Sequence, residues 1–379
     1  MKRIIRIGMD VHSKSYNLCA LESIWGQKDR LLAEAKVAAT ADEVARFIKA
    51  LAKRYGLDEK TDILCGYEAG CFGYSLYHQL RERKIHCVIL APTTMPAPRG
   101  PRIKTDIRDA FEIARCLING NYNHVYVLDD DDNDVKEYVR MRDDHKIAFK
   151  RIKQQIGAFC LRLGFQYSEG TKWTRQHLAW LRQLPLRAMQ KETLDDYLLT
   201  YMHLEERLAQ FDRRIEELAS RERYQEKLKD LGCFLGMSTY NSLSLLVEVG
   251  DFERFAKAPQ FSAFLGLVPG EHSSGDNINR LSISKAGNTH LRSLLIEAAQ
   301  CYCRGIIGYK SKALKARQAG NAQEVIAYAD RANVRLRKKY YRMLRHGKKR
   351  NVIVAAIARE LACFIWGMMT KSYEREEVA

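Results

Sequence analysis

The ten cysteines of this sequence include no Cys-x-x-Cys pair, and the closest two, Cys301 and Cys303, have no matching second half. A cysteine-ligated zinc site is therefore not expected. Cys65, Cys87, Cys116 and Cys363 sit in apolar runs and read as reduced core thiols of a cytoplasmic protein. An unbroken apolar run of membrane-spanning length is also missing. The most apolar stretch, 351–369, is cut by Arg359 and Glu360 and has helical spacing, so it reads as a core helix, and no membrane partner is expected. No secretory signal is expected either, since Met1-Lys2-Arg3 leads straight into a strand pattern. Proline is scarce. Four of the seven (Pro92, Pro96, Pro98, Pro101) crowd one loop with Arg99, Arg102 and Lys104, which reads as a surface connection or a phosphate-contacting loop.

Acidic residues fall short of basic ones, 46 against 63, for a formal net charge of +17. Residues 310–350 alone hold fourteen Lys or Arg against Glu324 and Asp330. Pairing at i,i+4 cannot neutralise so one-sided a run, which points to nucleic acid as partner. Tyr340 and Tyr341 lie within it, placed to stack on bases or to pack in the core.

The 379 residues suffice for two or three domains. Residues 3–118 read as α/β. Strands are expected near 4–9, 16–21 and 31–37, then a helix opened by the capping box Thr40-Ala41-Asp42-Glu43 and running to Tyr55. A strand at 63–67, a helix from about 74 to 84, a strand at 85–90 and a helix after Thr105, read as its N-cap, complete the series. Three strands, then helix, strand, helix, strand, helix, is the order of an RNase H-like fold. From 133 to about 221 the pattern is of long amphipathic helices. One apolar face is marked by Val139, Ile147, Ile152, Ile156, Phe159 and Leu163. A second runs through Leu194, Leu198, Tyr201, Leu204, Leu208, Phe211, Ile215 and Leu218, as in a helical hairpin or coiled coil. Residues 228–300 form a further compact unit with a polar loop over 268–277 and a basic turn at 285–288, and the tail is helical.

Four carboxylates stand out. On the helix after Thr105, Asp106 and Asp109 are three residues apart and share a face near its N-terminus. Taken alone, two first-turn aspartates are what the helix dipole favours, although it offsets only about 0.3–1 kcal/mol of their repulsion. Asp10 and Glu68 each end an apolar strand pattern where strand meets loop. Two strand-end carboxylates plus a helical pair offer hard oxygen ligands for Mg²⁺ or Mn²⁺, and two such ions make a phosphoryl-transfer site.

Ile7-Gly8-Met9-Asp10-Val11-His12, Tyr67-Glu68-Ala69-Gly70, Lys104-Thr105-Asp106-Ile107-Arg108-Asp109-Ala110, Phe264-Leu265-Gly266-Leu267-Val268-Pro269, Ser273-Ser274-Gly275 and Lys285-Ala286-Gly287-Asn288 follow one another in order. Together they resemble the DEDD transposases of the insertion-sequence one-ten family over nearly the whole chain. The resemblance implies a RuvC-like metal-binding domain (1–125), a helical coiled-coil region (126–222) and a mostly α C-terminal transposase domain (223–379). It implies Asp10, Glu68, Asp106 and Asp109 as metal ligands and a nucleophilic serine at Ser273, with Ser274 as rival. His272, Arg280 or Lys285 would assist it. It further implies donor and target DNA as substrates, a structured bridge RNA as guide, and a homo-oligomer, dimer or tetramer, working in the cytoplasm at the nucleoid. Two other readings stay open on the residues: a RuvC-like junction nuclease using water and no serine, and a non-catalytic nucleic-acid-binding protein with structural acids.

Overall fold

A computed structural model describes residues 3–24, 26–92, 95, 106–271 and 280–374. The chain divides into two compact units, Met1–Val127 and Leu128–Ala379. In the first, β1 (Ile4–Val11), β2 (Ser15–Ser23) and β3 (Arg30–Ala38) are followed by α1 (Ala41–Tyr55), β4 (Asp62–Glu68), α2 (Ser75–Glu82), β5 (Cys87–Leu90) and α3 (Asp106–Asn119). This is the anticipated order. The sheet runs β3-β2-β1-β4-β5, with β1 antiparallel to β2, β2 to β3, and β4 parallel to both β1 and β5. Parallel neighbours need a crossover, and α1 and α2 lie in those connections. Thr40 caps α1 by accepting from the Glu43 amide at 3.3 Å, while the Glu43 carboxylate turns to Arg46 instead of completing the box. Thr105 and most of the proline-rich loop lie outside the described residues.

The two faces of this sheet are covered differently. Ile5, Ile7, Met9, Cys65, Tyr67 and Ile89 pack with Val44 and Leu51 of α1 and Leu76 and Leu80 of α2. The other face receives α3, through Ala110 and Ala114 against Cys19 and Leu21, and through Ile113 and Leu117 against Leu90. At the crossing point β1 carries Gly8. A Cβ there would collide with the carbonyl of Ala110 and the amide of Ala114, so only glycine lets α3 lie this close to the strand.

The second unit contains α4 (Asp130–Arg162), α5 (Arg175–Arg182), α6 (Ala188–Ala219), α7 (Glu222–Gly232), α8 (Thr239–Val249), α9 (Ala258–Phe264), β6 (Pro269–Glu271), β7 (Arg280–Ile283), α10 (Thr289–Ala299), α11 (Lys312–Gln318), α12 (Gln323–Arg345) and α13 (Arg350–Met369). Helices α4 and α6 form antiparallel arms. Ile152, Ile156 and Cys160 meet Leu194, Leu198 and Tyr201 at one end, and Val135 and Val139 share the main core with Ile215 and Leu218 at the other. The α6 face is the anticipated one. On α4, Ile147 departs from it and is 67% exposed. Nine residues at about 100° each place it on the opposite side from Ile156. Pro269–Glu271, expected within the polar loop, instead form β6 and pair with β7 as a short antiparallel ladder; the rest of that loop, 272–277, lies outside the described residues.

Helix α13 is long and apolar enough to cross a membrane, but it is the core helix anticipated from its pattern. Ile353, Ile357, Ala358, Leu361 and Ile365 are fully buried in the main core of this unit. Glu360 pairs with Arg335 and with Lys339, the latter at 2.5 Å. Of the four cysteines expected in the core, Cys65, Cys87 and Cys116 are buried and Cys363 is only half-buried; all ten are free.

The packing at Gly8 makes a direct prediction. Gly8→Ala lowers the unfolding free energy by about 1–3 kcal/mol, the usual cost of overpacking, measured by urea denaturation. An unchanged midpoint would mean that α3 rides outward freely and is not held by this contact.

Candidate functional site

Strand alternation fixes which side chains reach α3. Gly8 faces it, so Asp10, two residues on, projects from the same face of β1. On β4, Gly66 also faces α3, where a Cβ would press on Leu117, so Glu68 shares its side. The parallel register pairs Gly8 with Gly66 and Met9 with Tyr67, which sets Glu68 beside Asp10 at the C-terminal ends of adjacent strands. Helix α3 lies over this face with Asp106 and Asp109 in its first turn.

The structure brings Asp10 and Asp106 together and adds a residue that the sequence reading quoted only as part of a motif. His12 Nε2 lies 2.9 Å from Asp10 Oδ2 and 4.0 Å from Asp106 Oδ1. One ligand atom from each of Asp10, His12 and Asp106 falls within 4.8 Å of the others. The Asp-x-His spacing at a strand end was the available signal, because alternation returns position 12 to the side of position 10. Asp109 and Glu68 stand outside this tight group. Asp109 still acts on Asp10 through its charge. Ser273, its rival Ser274, and His272 lie outside the described residues, in the segment between β6 and β7.

Burial pushes the Asp10 carboxyl above its ordinary value; His12 opposes this, and the charges of Asp106 and Asp109 add to it. The site is thus a carboxylate cluster in which a negative charge is disfavoured until a cation arrives. The donor set fits a divalent ion. Two carboxylates and an imidazole within 4.8 Å need only slight closure to meet one ion at about 2.1 Å. Two carboxylates of the three donors suit a hard divalent cation.

In the second unit, the motifs around Gly266 and Gly287 form one structure. Gly287 has a φ of +122°, and a Cβ there would strike the Phe264 carbonyl. The Asn288 amide donates to that same carbonyl at 2.9 Å, and Arg292 donates to the Leu265 carbonyl at 3.0 Å. Asn288 also caps α10 and donates to Glu248 at 2.8 Å. Burial alone would raise the Glu248 carboxyl; the bonds from Arg140 and Asn288 hold it below the usual range. Lys285 is exposed in the turn after β7, and Arg280 opens that strand. A cavity of about 1110 Å³ opens along α4 and α10, lined by Arg140, Lys146, Lys150 and Lys153 but also by Glu137, Asp143, Asp144 and Glu297.

The basic run divides into two populations. Arg317, Arg337, Lys310, Arg335, Lys339 and Arg350 bond to carbonyl, carboxylate or amide oxygens of the second unit. Lys312, Lys315, Arg331, Lys338, Arg342, Arg345, Lys348 and Lys349 are exposed, with no ion pair to an acidic side chain among the described residues. The phosphate-binding reading therefore applies to a subset of the fourteen. Tyr340 packs against the core, and Tyr341 donates to the Gly305 carbonyl at 2.7 Å.

Comparison with known proteins adds to this geometry. A family model described as Transposase matches residues 7–164, and one described as Transposase IS116/IS110/IS902 family matches 231–311. The transposase for insertion sequence element IS1533 of Leptospira borgpetersenii is 31% identical over 359 residues, 92% of this chain and 99% of that protein. A Sinorhizobium fredii protein, y4qE, is 30% identical over 362 residues, 96% of this chain and 87% of its own length. The chain belongs to the IS116/IS110/IS902 transposase family. This transposase is accordingly an enzyme acting on DNA. The transposase for IS1111A of Coxiella burnetii is 24% identical over 310 residues, 81% of this chain and 80% of its own. In the present transposase the first matched region runs from β1 to the end of α4 and contains all four candidate acids. The second runs from α7 to the end of the segment before α11 and contains Ser273.

The sign of the Asp10 shift gives a test on the metal-free transposase. A carboxyl whose folded value is raised costs stability while ionised, and that cost vanishes as pH falls through the raised value. Asp10→Asn therefore melts at a higher temperature than wild type at neutral pH in chelator, and the gap closes on acidification. A variant melting lower at neutral pH would show Asp10 to be a structural anchor.

Proposed function

We propose that the transposase breaks and rejoins DNA strands at a divalent-metal centre, Mg²⁺ or Mn²⁺, held by Asp10, Glu68, Asp106 and Asp109 on an RNase H-like (RuvC-like) domain, with Ser273 as nucleophile. The observation that carries this reading is the meeting of Asp10 and Asp106 at the C-terminal end of the central strand, with Glu68 projecting from the same face. The sheet order, with three antiparallel strands extended by two parallel ones, supports the fold assignment.

Bound ions there would stabilise the attacking and leaving oxygens at a phosphate. Asp10, Glu68, Asp106 and Asp109 would hold the ion through their carboxylate oxygens. His12 Nε2 holds the Asp10 carboxylate at 2.9 Å, and the same nitrogen would turn to the metal once an ion is bound. The serine role rests on the resemblance at Ser273-Ser274-Gly275. In the step proposed, the Ser273 Oγ–phosphorus bond forms, its proton passes to a base, and one phosphorus–oxygen bond to the neighbouring sugar breaks. The strand is thereby kept on the enzyme for rejoining, and Lys285 or Arg280 offers positive charge nearby in sequence. The exposed part of the basic run supports contact with donor and target DNA and with a structured bridge RNA that selects sequence by pairing. The same reading makes the transposase a homo-oligomer, dimer or tetramer, of the cytoplasm and nucleoid.

The test is strand cleavage and joining on DNA carrying the element ends. Asp10→Asn and Asp106→Asn each lower the rate by at least about 10²–10³-fold, the scale of losing an electrostatic stabiliser of the transition state. Ser273→Ala abolishes a covalent protein–DNA adduct trapped by denaturation, whereas Ser274→Ala keeps it. Cutting that survives Ser273→Ala with no adduct would assign the enzyme to water-using junction nucleases.

A further inference from the structure

Between α10 and α11 a short loop presents unusual chemistry to solvent. Ile306 is 76% exposed, Ile307 40% and Tyr309 58%. Lone exposed apolar residues are ordinary, but three within four positions form a patch. The loop is also held in place. From α12, Asn333 donates to the Tyr309 carbonyl at 3.3 Å, Arg337 donates to the Ile306 carbonyl, and Tyr341 donates to the Gly305 carbonyl at 2.7 Å. Asn333 and Arg337 are buried beneath it. Three successive turns of one helix thus pin the backbone from below and leave the isoleucines pointing away.

The surroundings define what such a patch meets. At about 100° per residue, Arg345, Lys338, Arg331 and Arg342 form the stripe of α12 directly beside the row 333–337–341 that holds the loop. All four are exposed. Arg304 precedes the loop and is exposed as well. A second copy of the chain would bring the same positive stripe against itself, whereas a nucleic acid would bring phosphates. Small apolar side chains on a rigid support, flanked by cations, are the arrangement by which proteins part stacked base pairs while holding the backbone on either side.

We propose that Ile306 and Ile307 form a wedge that enters double-stranded DNA and unstacks a base step, with Tyr309 against the opened bases and the α12 stripe on the flanking phosphates. This rests on the transposase acting on DNA but not on which residues cleave it. The wedge supplies a function that the acids do not: local opening of a duplex.

Fluorescence anisotropy of the full chain on two 30-base-pair duplexes tests it, one fully paired and one with a central single-nucleotide bulge that is already unstacked. Wild type binds the bulged duplex about tenfold more tightly, because it spares the cost of opening. Ile306→Ser/Ile307→Ser removes that preference, keeps affinity for the paired duplex within about threefold, and melts at the wild-type temperature. Lys338→Ala/Arg342→Ala weakens both duplexes alike and lowers the salt slope by about two. A double-serine variant that retains the preference overturns the wedge. So does one that dissociates in the ultracentrifuge where wild type does not, which would make the patch a protein interface. A preference for a bulged RNA duplex over the bulged DNA overturns the assignment to DNA. Equal wild-type binding to both DNA duplexes overturns the wedge alone, while binding to neither overturns the DNA reading with it.

Discussion

The missing side chain at Gly8 is the constraint from which the candidate site follows. Strand β1 runs down the centre of its sheet, and α3 lies across it at a distance that admits no Cβ. Two residues beyond this contact comes Asp10, the last but one residue of the strand, and four residues before Ala110 the helix begins with Asp106. Neither carboxylate could meet the other if the helix stood off by the width of a methyl group. The close backbone approach, and not any attraction between the acids, sets their distance.

Once there, the acids work against the fold. Asp10 is partly desolvated and faces two further negative charges, so the unit carries unfavourable electrostatics at a place where packing alone would have accepted neutral residues. Two acids of the second unit are treated otherwise: Glu248 receives Arg140 and Asn288, and Glu360 receives Arg335 and Lys339. Asp10 has His12 set against the charges of Asp106 and Asp109, which is the kind of imbalance a bound cation would relieve.

Much of this was legible from pattern. Apolar runs closed by Asp10 and Glu68 marked the strands, and the capping sequence at Thr40 marked α1, because local physics decides both. Ile147 shows the limit. It fits a list of apolar residues along α4, but only its angle relative to Ile156 tells that it faces solvent. The pairing of β6 with β7 was hidden because each strand is too short to show alternation. His12 was hidden because a single histidine after a strand acquires meaning only once the helix bearing Asp106 is placed against it. The basic run was read as one surface, yet six of its fourteen charges have internal partners that composition cannot disclose. Ser273 stays a matter of resemblance, its segment lying outside the described residues.

The buried carboxylate of Glu248 has a mechanical implication. Arg140, on the long arm α4, donates to both of its oxygens, and Asn288, at the turn that leads into α10, donates to one of the same two. Two elements 148 positions apart in the chain therefore share a single rivet. Because that rivet sits on α8, a displacement of the arm reaches the turn after β7 through this one helix.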